Sequence, residues 1–468
     1  MKSADTSAWR LAARLKIGLR TLQAFMGTPL ARRLVLGLFV VQAVILVWTV
    51  SIGTPPDETN HIQFIDYYAH HSLSPIFNHQ QPTYNLGDKT REVDYLYHYA
   101  MSLLVRIMPF SFSVEYHIVR LFSVLFGLLT FMTLGRLFKM LGVSAAAITV
   151  GLLVLTNLPM VLMMSSAVNN DVLVWLGAVL GFLLLVRLWK QPTTLDLAWL
   201  LGLSLVGGLV KRTLLPLGLV FGILGLVVFA RRTRTILAGF KRFNWQLGVA
   251  CVVIVLGSVL FAERVGGNLV RYHSITPSCA KVQGDAACYG FWANVRARTL
   301  AQLPPEKPMP LVEFPVRWLG SSFTNVVDIQ TQNWRHQVKP ARFLTPLLVA
   351  LLAVGIIYGL FYEKNRYKTD QRSRYRLYIM LITLYFLVVH LIVNYGEYKK
   401  AGFFGVALNG RYILPSLLPL VVFASFYWSR LLGRHQQQLT LLAIVAVTCT
   451  IAFSGLELML RNPQLYTS

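Results

Sequence analysis

Apolar runs of bilayer length recur along this chain from Leu34 to Leu458. A hydrocarbon core takes about 20 apolar residues to cross as a helix. Lipid offers no hydrogen bonds, so such a run must satisfy its backbone internally and fold as a helix or as part of a closed barrel. Here the runs sit at 33–51, 119–140, 143–162, 171–188, 194–210, 213–230, 246–262, 343–362, 377–395, 411–429 and 439–457, which predicts an all-α, polytopic membrane protein of about eleven transmembrane helices. Composition agrees: 55% of residues are hydrophobic, 13% are charged and mean hydropathy is +0.55, unlike a soluble globular domain. Lys2, Arg10, Arg14, Lys16 and Arg20 resemble the charged start of a signal peptide. The run ending at Ser51 is long enough to span and no small-residue cleavage site follows it, so it reads as a retained first helix.

Lys and Arg outnumber Asp and Glu by 44 to 19, for a net charge of +25. The positive residues fall mostly in short segments between apolar runs, where the positive-inside rule puts them on the cytoplasmic side. They are therefore read as topology determinants, with no nucleic-acid partner. If eleven helices alternate, the clusters Arg231/Arg232/Arg234/Lys241/Arg242, Lys364 to Arg376 and Arg430/Arg434 share the side of a cytoplasmic N-terminus. Two loops, 52–118 and 263–342, then lie outside; both are too long for simple connections, and each should carry short surface helices. The whole of 1–468 reads as one transmembrane domain.

Cys251 and Cys449 lie within apolar runs, where a thiol behaves as a small hydrophobe. Cys279 and Cys288 share the second outer loop, and an oxidising compartment favours a disulfide between them. The alternatives are two free thiols, or a zinc site for which only His273 lies close in sequence. No internal repeat, heptad run, P-loop, dinucleotide-binding glycine pattern or serine elbow is present, so nucleotide chemistry has no visible home.

Directly after the first run the chain reads Gly53-Thr54-Pro55-Pro56-Asp57-Glu58-Thr59-Asn60-His61, with two adjacent carboxylates at the outer surface. Thr54 as N-cap, Pro55 at the first helical position and Asp57 at the third form a helix-start pattern. That arrangement would fix Asp57 one turn before His61 on the same face. A rigid interfacial carboxylate suits general-base transfer to a hydroxyl acceptor. The first loop holds seven of the 19 acidic residues (Asp57, Glu58, Asp66, Asp88, Glu92, Asp94 and Glu115) and six of the ten histidines. This is either an acidic cavity lining or a solvated face. Asp57, Glu58, His61 and Asp171 also have the donor types for a divalent metal, at a spacing that is not diagnostic.

A second signal is Ser165-Ser166-Ala167-Val168-Asn169-Asn170-Asp171-Val172, which opens the fourth run from outside; Asp171 is a cap or a site residue. A third is Lys211, Arg212 and Arg411, outward cations that break the positive-inside pattern. An interfacial phosphate would satisfy them, as would phospholipid headgroups reached by snorkelling. Arg264, Arg271 and Arg317 are weaker signals of the same kind.

The Pro-Pro-Asp-Glu-x-x-His segment, an acidic residue at the mouth of a later span, and Asn409-Gly410-Arg411-Tyr412-Ile413-Leu414-Pro415 together resemble the GT-C glycosyltransferase superfamily. The nearest likeness is to a bacterial branch of predicted membrane proteins, similar to protein mannosyltransferases and aminoarabinose transferases. The resemblance extends over most of the chain, and its weight comes from the order and common sidedness of the motifs. It implies a polyprenyl-phosphate-linked sugar as donor, a hydroxyl-bearing glycan, lipid or protein as acceptor, and inversion at the anomeric carbon. It further implies Asp57 as the base, with Glu58 orienting the site or taking the base role itself. Asp171, His61 and Tyr412 would line the substrate, and Lys211, Arg212 and Arg411 would hold the donor phosphate. A cofactor is either not required or a divalent metal. About ten residues follow Leu458, so acceptor recognition is expected from the two long loops. The expected location is a bacterial inner membrane with the site extracytoplasmic. Competing readings are a transporter or flippase of lipid-linked glycans, which would place ionisable groups near the bilayer midplane, and a glycan polymerase or ligase, which would rely on the second loop. A structural scaffold is the remaining alternative.

Overall fold

A computed structural model describes residues 17–70, 91, 93–240, 244–284, 288, 298–299, 302, 309–330, 335–336, 341–404 and 410–461. Asp88, Glu92, Asn409 and most of the proline-rich stretch of the second loop lie outside these residues.

After a helical stretch at 17–26, the elements are α1 (Pro29–Thr49), α2 (Glu58–His70), α3 (Leu96–Ile107), α4 (Phe112–Met140), α5 (Ala145–Thr156), α6 (Pro159–Ser165), α7 (Asp171–Lys190), α8 (Thr194–Val210), α9 (Leu215–Phe240) and α10 (Trp245–Phe261). They continue as α11 (Gly267–Tyr272), α12 (Cys279–Gln283), α13 (Glu313–Val327), a hairpin of β1 (Ile329–Gln330) and β2 (Arg335–His336), α14 (Ala341–Arg366), α15 (Gln371–Ala401), α16 (Leu414–Leu431) and α17 (Arg434–Arg461). The two long loops carry α2 with α3, and α11 to α13, as the sequence led us to expect.

Among the described residues nine helices are long and apolar enough to cross a bilayer. The other two predicted spans differ from a straight 20-residue helix. The stretch 143–162 is broken into α5 and α6, bent by 72°. Pro159 is the cause, since it has no N–H to continue the ladder and its ring clashes with the preceding turn; the Asn157 side chain instead donates to the Leu153 carbonyl at 2.7 Å. The other, α8, has only 17 residues.

Contacts at the two ends of the bundle fix the direction of each helix. At one end Lys190 donates to the Met140 carbonyl at 2.6 Å and Arg187 pairs with Asp196 at 2.9 Å, joining the ends of α4 and α7 to the start of α8. At the other end Lys211, just past α8, pairs with Asp171 at the start of α7. So α7 and α8 run between the same two levels, and the broken pair α5–α6 returns the chain from the first level to the second. The first level also holds Arg376, Glu363 and Tyr427. There Arg376 binds Glu363 at 2.6 Å and the Leu141 carbonyl at 2.7 Å, tying α14, α15 and α16 together. The basic segments 231–234, 364–376 and 430 therefore sit at this basic end, and residues 51–58, 168–171, 211 and 411 at the opposite one.

Each outer helix presents an apolar stripe outward. On α1, Leu30, Leu34, Leu38, Val41, Ile45 and Trp48 are exposed, while Val35, Phe39, Ala43, Leu46 and Val47 pack inward. Both stripes are apolar, and an exposed apolar face of that size suits lipid rather than water.

Candidate active site

The end of the bundle opposite the basic clusters is organised by Glu58. Its side chain is fully buried, and so is its partner Arg120 on α4. Arg120 donates through Nε to Oε1 at 2.8 Å and through Nη2 to Oε2 at 2.6 Å. Its remaining hydrogens go to the carbonyls of Val47 at 2.9 Å, Val50 at 2.6 Å and Ser51 at 3.0 Å. The carboxylate accepts two more bonds, from the backbone N–H of Val168 and of Gly53, both at 2.7 Å. All five guanidinium hydrogens and all four usual acceptor positions are thus in use. One ion pair gathers the end of α1, the start of α2, α4 and the segment before α7. Glycine is required at position 53, where φ is +89°, a region other L residues rarely enter.

Asp57 precedes this knot and is not in the helix. The expected pattern of Thr54 as cap and Asp57 in the first turn is corrected: α2 begins at Glu58, and Asp57 has φ of +61°, in the left-handed region. Glu58 is drawn inward by Arg120 and two backbone donors, and the chain reverses around Gly53 and Asp57 to allow it. Asp and Asn are the residues that best tolerate this conformation outside glycine. Strain of this kind at a polar residue is a recurrent mark of functional positions. The backbone carbonyl of Asp57 accepts from His61 N at 3.1 Å. Its side chain is 49% exposed and one oxygen is held by Arg411 Nη2.

Arg411 lies in a short 3-10 turn, Gly410–Ile413, with only 3% of its side chain exposed. Its Nη1 also donates to the Pro56 carbonyl at 3.3 Å, and its Nε faces Asp171 Oδ2 at 3.4 Å. A Cβ at position 410 would meet the Ser322 carbonyl at 2.5 Å, so only glycine lets this turn close on α13. Asp171 Oδ1 in turn accepts from Lys211 Nζ at 2.6 Å. Lys211 reaches Asn170 Oδ1 at 3.1 Å, and Asn170 donates back to the Val210 carbonyl at 3.1 Å. The result is an alternating row, Asp57, Arg411, Asp171, Lys211, drawn from four separate parts of the chain. Tyr412 closes its side, with its ring centre 5.0 Å from Lys211 Nζ and 5.2 Å from the Arg411 guanidinium carbon. Of the four charges only Asp57 has a substantially exposed side chain; Asp171 and Lys211 are 3% and 8% exposed.

His61 sits beside the row and pairs through Nδ1 with His98 Nε2 of α3 at 2.7 Å. Arg212 is exposed in the turn after Lys211. The metal set Asp57, Glu58, His61 and Asp171 is not assembled: Glu58 is committed to Arg120 and Asp171 to Lys211. Among the described residues no three His, Cys, Asp or Glu side chains converge as metal ligands. Lys211 and Arg411, expected as phosphate holders, already pair with Asp171 and Asp57, so the row is neutral overall. Arg264 is fully buried, 4.2 Å over the Tyr95 ring, in a π-helical turn (Ala262–Gly266) whose Glu263 binds Arg91 at 2.7 Å. Burial pushes the Tyr95 hydroxyl up to about 12, Arg264 and Arg91 offsetting only part of the effect. Arg91 also donates to Asn268 at 3.0 Å, so the first loop is clamped to the second beside the site. Cys279 and Cys288 form a disulfide, Cα–Cα 5.8 Å.

Sequence reasoning missed Arg120, His98 and Asn170 as organising residues. Arg120 had a signal: an arginine one residue into an apolar run is expensive unless it has a partner.

No protein family and no curated protein matches the sequence. Among solved structures, the fold is similar to the crystal structure of the Archaeoglobus fulgidus oligosaccharyltransferase in the apo form, with 11% sequence identity and a TM-score of 0.41. The match covers 93% of this chain and 55% of that one, so the chain spans about half the length of that protein.

Proposed function

We propose that this protein is a GT-C-like glycosyltransferase that moves a sugar from a polyprenyl-phosphate donor to a hydroxyl acceptor, with Asp57 as general base. The observation that carries the proposal is the placement of Asp57: a half-exposed carboxylate, held outside its helix in a left-handed conformation and aimed by a buried arginine. General-base work needs a carboxylate that can be reached and cannot swing away. In the proposed step the acceptor hydroxyl gives its proton to Asp57, and its oxygen attacks the anomeric carbon. The bond from that carbon to the donor phosphate breaks, and polyprenyl phosphate leaves with the electron pair. The configuration inverts.

Glu58 acts as a positioning residue in this reading, since every acceptor position on it is taken. Asp171, itself held by Lys211, holds Arg411 in place. Arg212, exposed in the turn after Lys211, provides positive charge for the leaving phosphate, while His61 and Tyr412 offer hydrogen bonds to sugar hydroxyls. A divalent cation, if used, would have to take Asp57 with ligands beyond the set expected from sequence; chelation followed by Mg²⁺ add-back tests its contribution. The basic clusters at the far end of the bundle support a cytoplasmic N-terminus and an extracytoplasmic site; that the membrane is a bacterial inner membrane rests on the resemblance of the sequence motifs. The ionic row lies at a helix end rather than at mid-bilayer, which favours an enzyme over a transporter or flippase.

The test is Asp57→Asn in purified protein, assayed for polyprenyl-phosphate-sugar binding, turnover and thermal stability. Asn tolerates the same backbone conformation. Turnover should fall about 100-fold or more, with donor binding and Tm retained. Undiminished turnover would overturn the base assignment.

A further inference from the structure

The basic end of the bundle, opposite Asp57, carries a cavity of about 660 Å³ between the helical stretch 17–26, α5, α16 and α17. Its lining is graded by chemistry. Arg20, Arg430 and Ser144 are at the exposed mouth, Ser429 and Gln437 are half-buried, and Val150, Leu441 and Ile444 belong to an apolar floor. From Ser144 to Val150 the wall of α5 descends six residues, about 9 Å, which carries it from the helix ends into the apolar zone. Two arginines and no acidic residue line the cavity. Among the described residues neither guanidinium has a carboxylate within ion-pair distance, whereas Arg376, Arg187 and Arg120 each do. Arg430 stacks on Phe426, its guanidinium carbon 5.2 Å from the ring centre.

We propose that this cavity is a binding site for an anionic phospholipid of the leaflet that faces the basic end. Arginine forks match phosphate oxygens in pairs, and basic pockets between helices on the positively charged side of a membrane protein are suited to anionic headgroups. The floor is apolar, and Leu439 and Leu442 of α17, which flank the floor residue Leu441 in sequence, are exposed, an apolar route for an acyl chain toward the bilayer. A soluble anion would gain the mouth but leave the floor unfilled. The residues before Ile17 carry Lys2, Arg10, Arg14 and Lys16 against the single acid Asp5, so their net charge has the same sign as the mouth. Occupancy would brace the stretch 17–26 and α17, which meet α5 in a small cluster of Met26, Ala31, Val150 and Leu441 separate from the main core.

Binding of dioleoylphosphatidylglycerol and of dioleoylphosphatidylcholine to the full chain in detergent micelles, followed by the shift in Tm with lipid concentration, tests this. The wild type should be stabilised at lower concentrations of phosphatidylglycerol than of phosphatidylcholine. Arg20→Gln with Arg430→Gln should weaken phosphatidylglycerol about 30-fold, roughly fivefold for each cation lost, and leave phosphatidylcholine unchanged. Thr440→Trp, which fills the cavity without altering charge, should abolish the stabilisation by either lipid. If the double variant does not fold, Arg430→Lys serves instead, keeping the charge and losing the fork for a severalfold loss. Equal response to the two lipids in the wild type, or unchanged phosphatidylglycerol affinity in Arg20→Gln/Arg430→Gln, overturns the proposal. Neither arginine is part of the Asp57 site, so the result is independent of the transferase reading.

Discussion

Replacing Glu58 by glutamine removes one charge and converts one acceptor oxygen into a donor, with no change in shape. If the amide nitrogen takes the Oε2 position it faces Arg120 Nη2 at 2.6 Å and Gly53 N at 2.7 Å, two donors. If it takes the Oε1 position it faces Arg120 Nε at 2.8 Å and Val168 N at 2.7 Å, again two donors. Either orientation loses one charge-assisted bond and one backbone bond and leaves a buried guanidinium without its counter-charge. From the bonds the cost is about 3–5 kcal/mol, the same as for removing one partner of a buried ion pair. At roughly 2–4 °C per kcal/mol, Tm in detergent should fall on the order of 10 °C. Below the new melting temperature, turnover should stay within about tenfold of wild type, since Glu58 positions the site and does not transfer the proton. A double-mutant cycle with Arg120→Met should give a coupling of about 2 kcal/mol or more. A Glu58→Gln protein that melts within about 2 °C of wild type would refute the account of the knot. One that keeps its stability but loses turnover 100-fold or more would move the base from Asp57 to Glu58.

The Cys279–Cys288 bridge closes a loop of sequence separation 9, so both thiols should resist a maleimide-polyethylene glycol label until reduced; labelling of either without reductant would show them free. Reduction should lower the stability of that loop by about 2–3 kcal/mol, read as faster proteolysis of the second loop. The Tyr95 hydroxyl is raised from its ordinary value near 10 to about 12 by burial. Its folded pKa exceeds its unfolded one, so its contribution is complete below pH 10 and is lost as pH rises toward 12. Tyr95→Phe should therefore flatten the fall of Tm between pH 10 and 12; an unchanged slope would contradict the burial.

Much of the fold is legible because lipid imposes a simple rule: long apolar runs become helices. Each predicted run is helical, and α8, at 17 residues, still joins the two levels defined by Lys190 and Lys211. The break at Pro159 was readable in principle from the proline, but the 72° bend depends on what packs around it. The candidate residues were legible as types, acids and cations gathered on one side. Their pairing was not, because Asp57 and Arg411 are 354 residues apart.

The sequence by itself determined the solvent this protein needs, the number of apolar segments, and the accumulation of positive charge between some of them. These follow from local composition, read one run at a time. Tertiary structure alone decided the difference between two adjacent carboxylates. Glu58 is sealed on Arg120 and Asp57 is turned outward onto Arg411. That division arises because a buried carboxylate needs four donors, which only the convergence of α1, α4 and the segment before α7 supplies. The chain must then reverse through a left-handed Asp57 to bring them together.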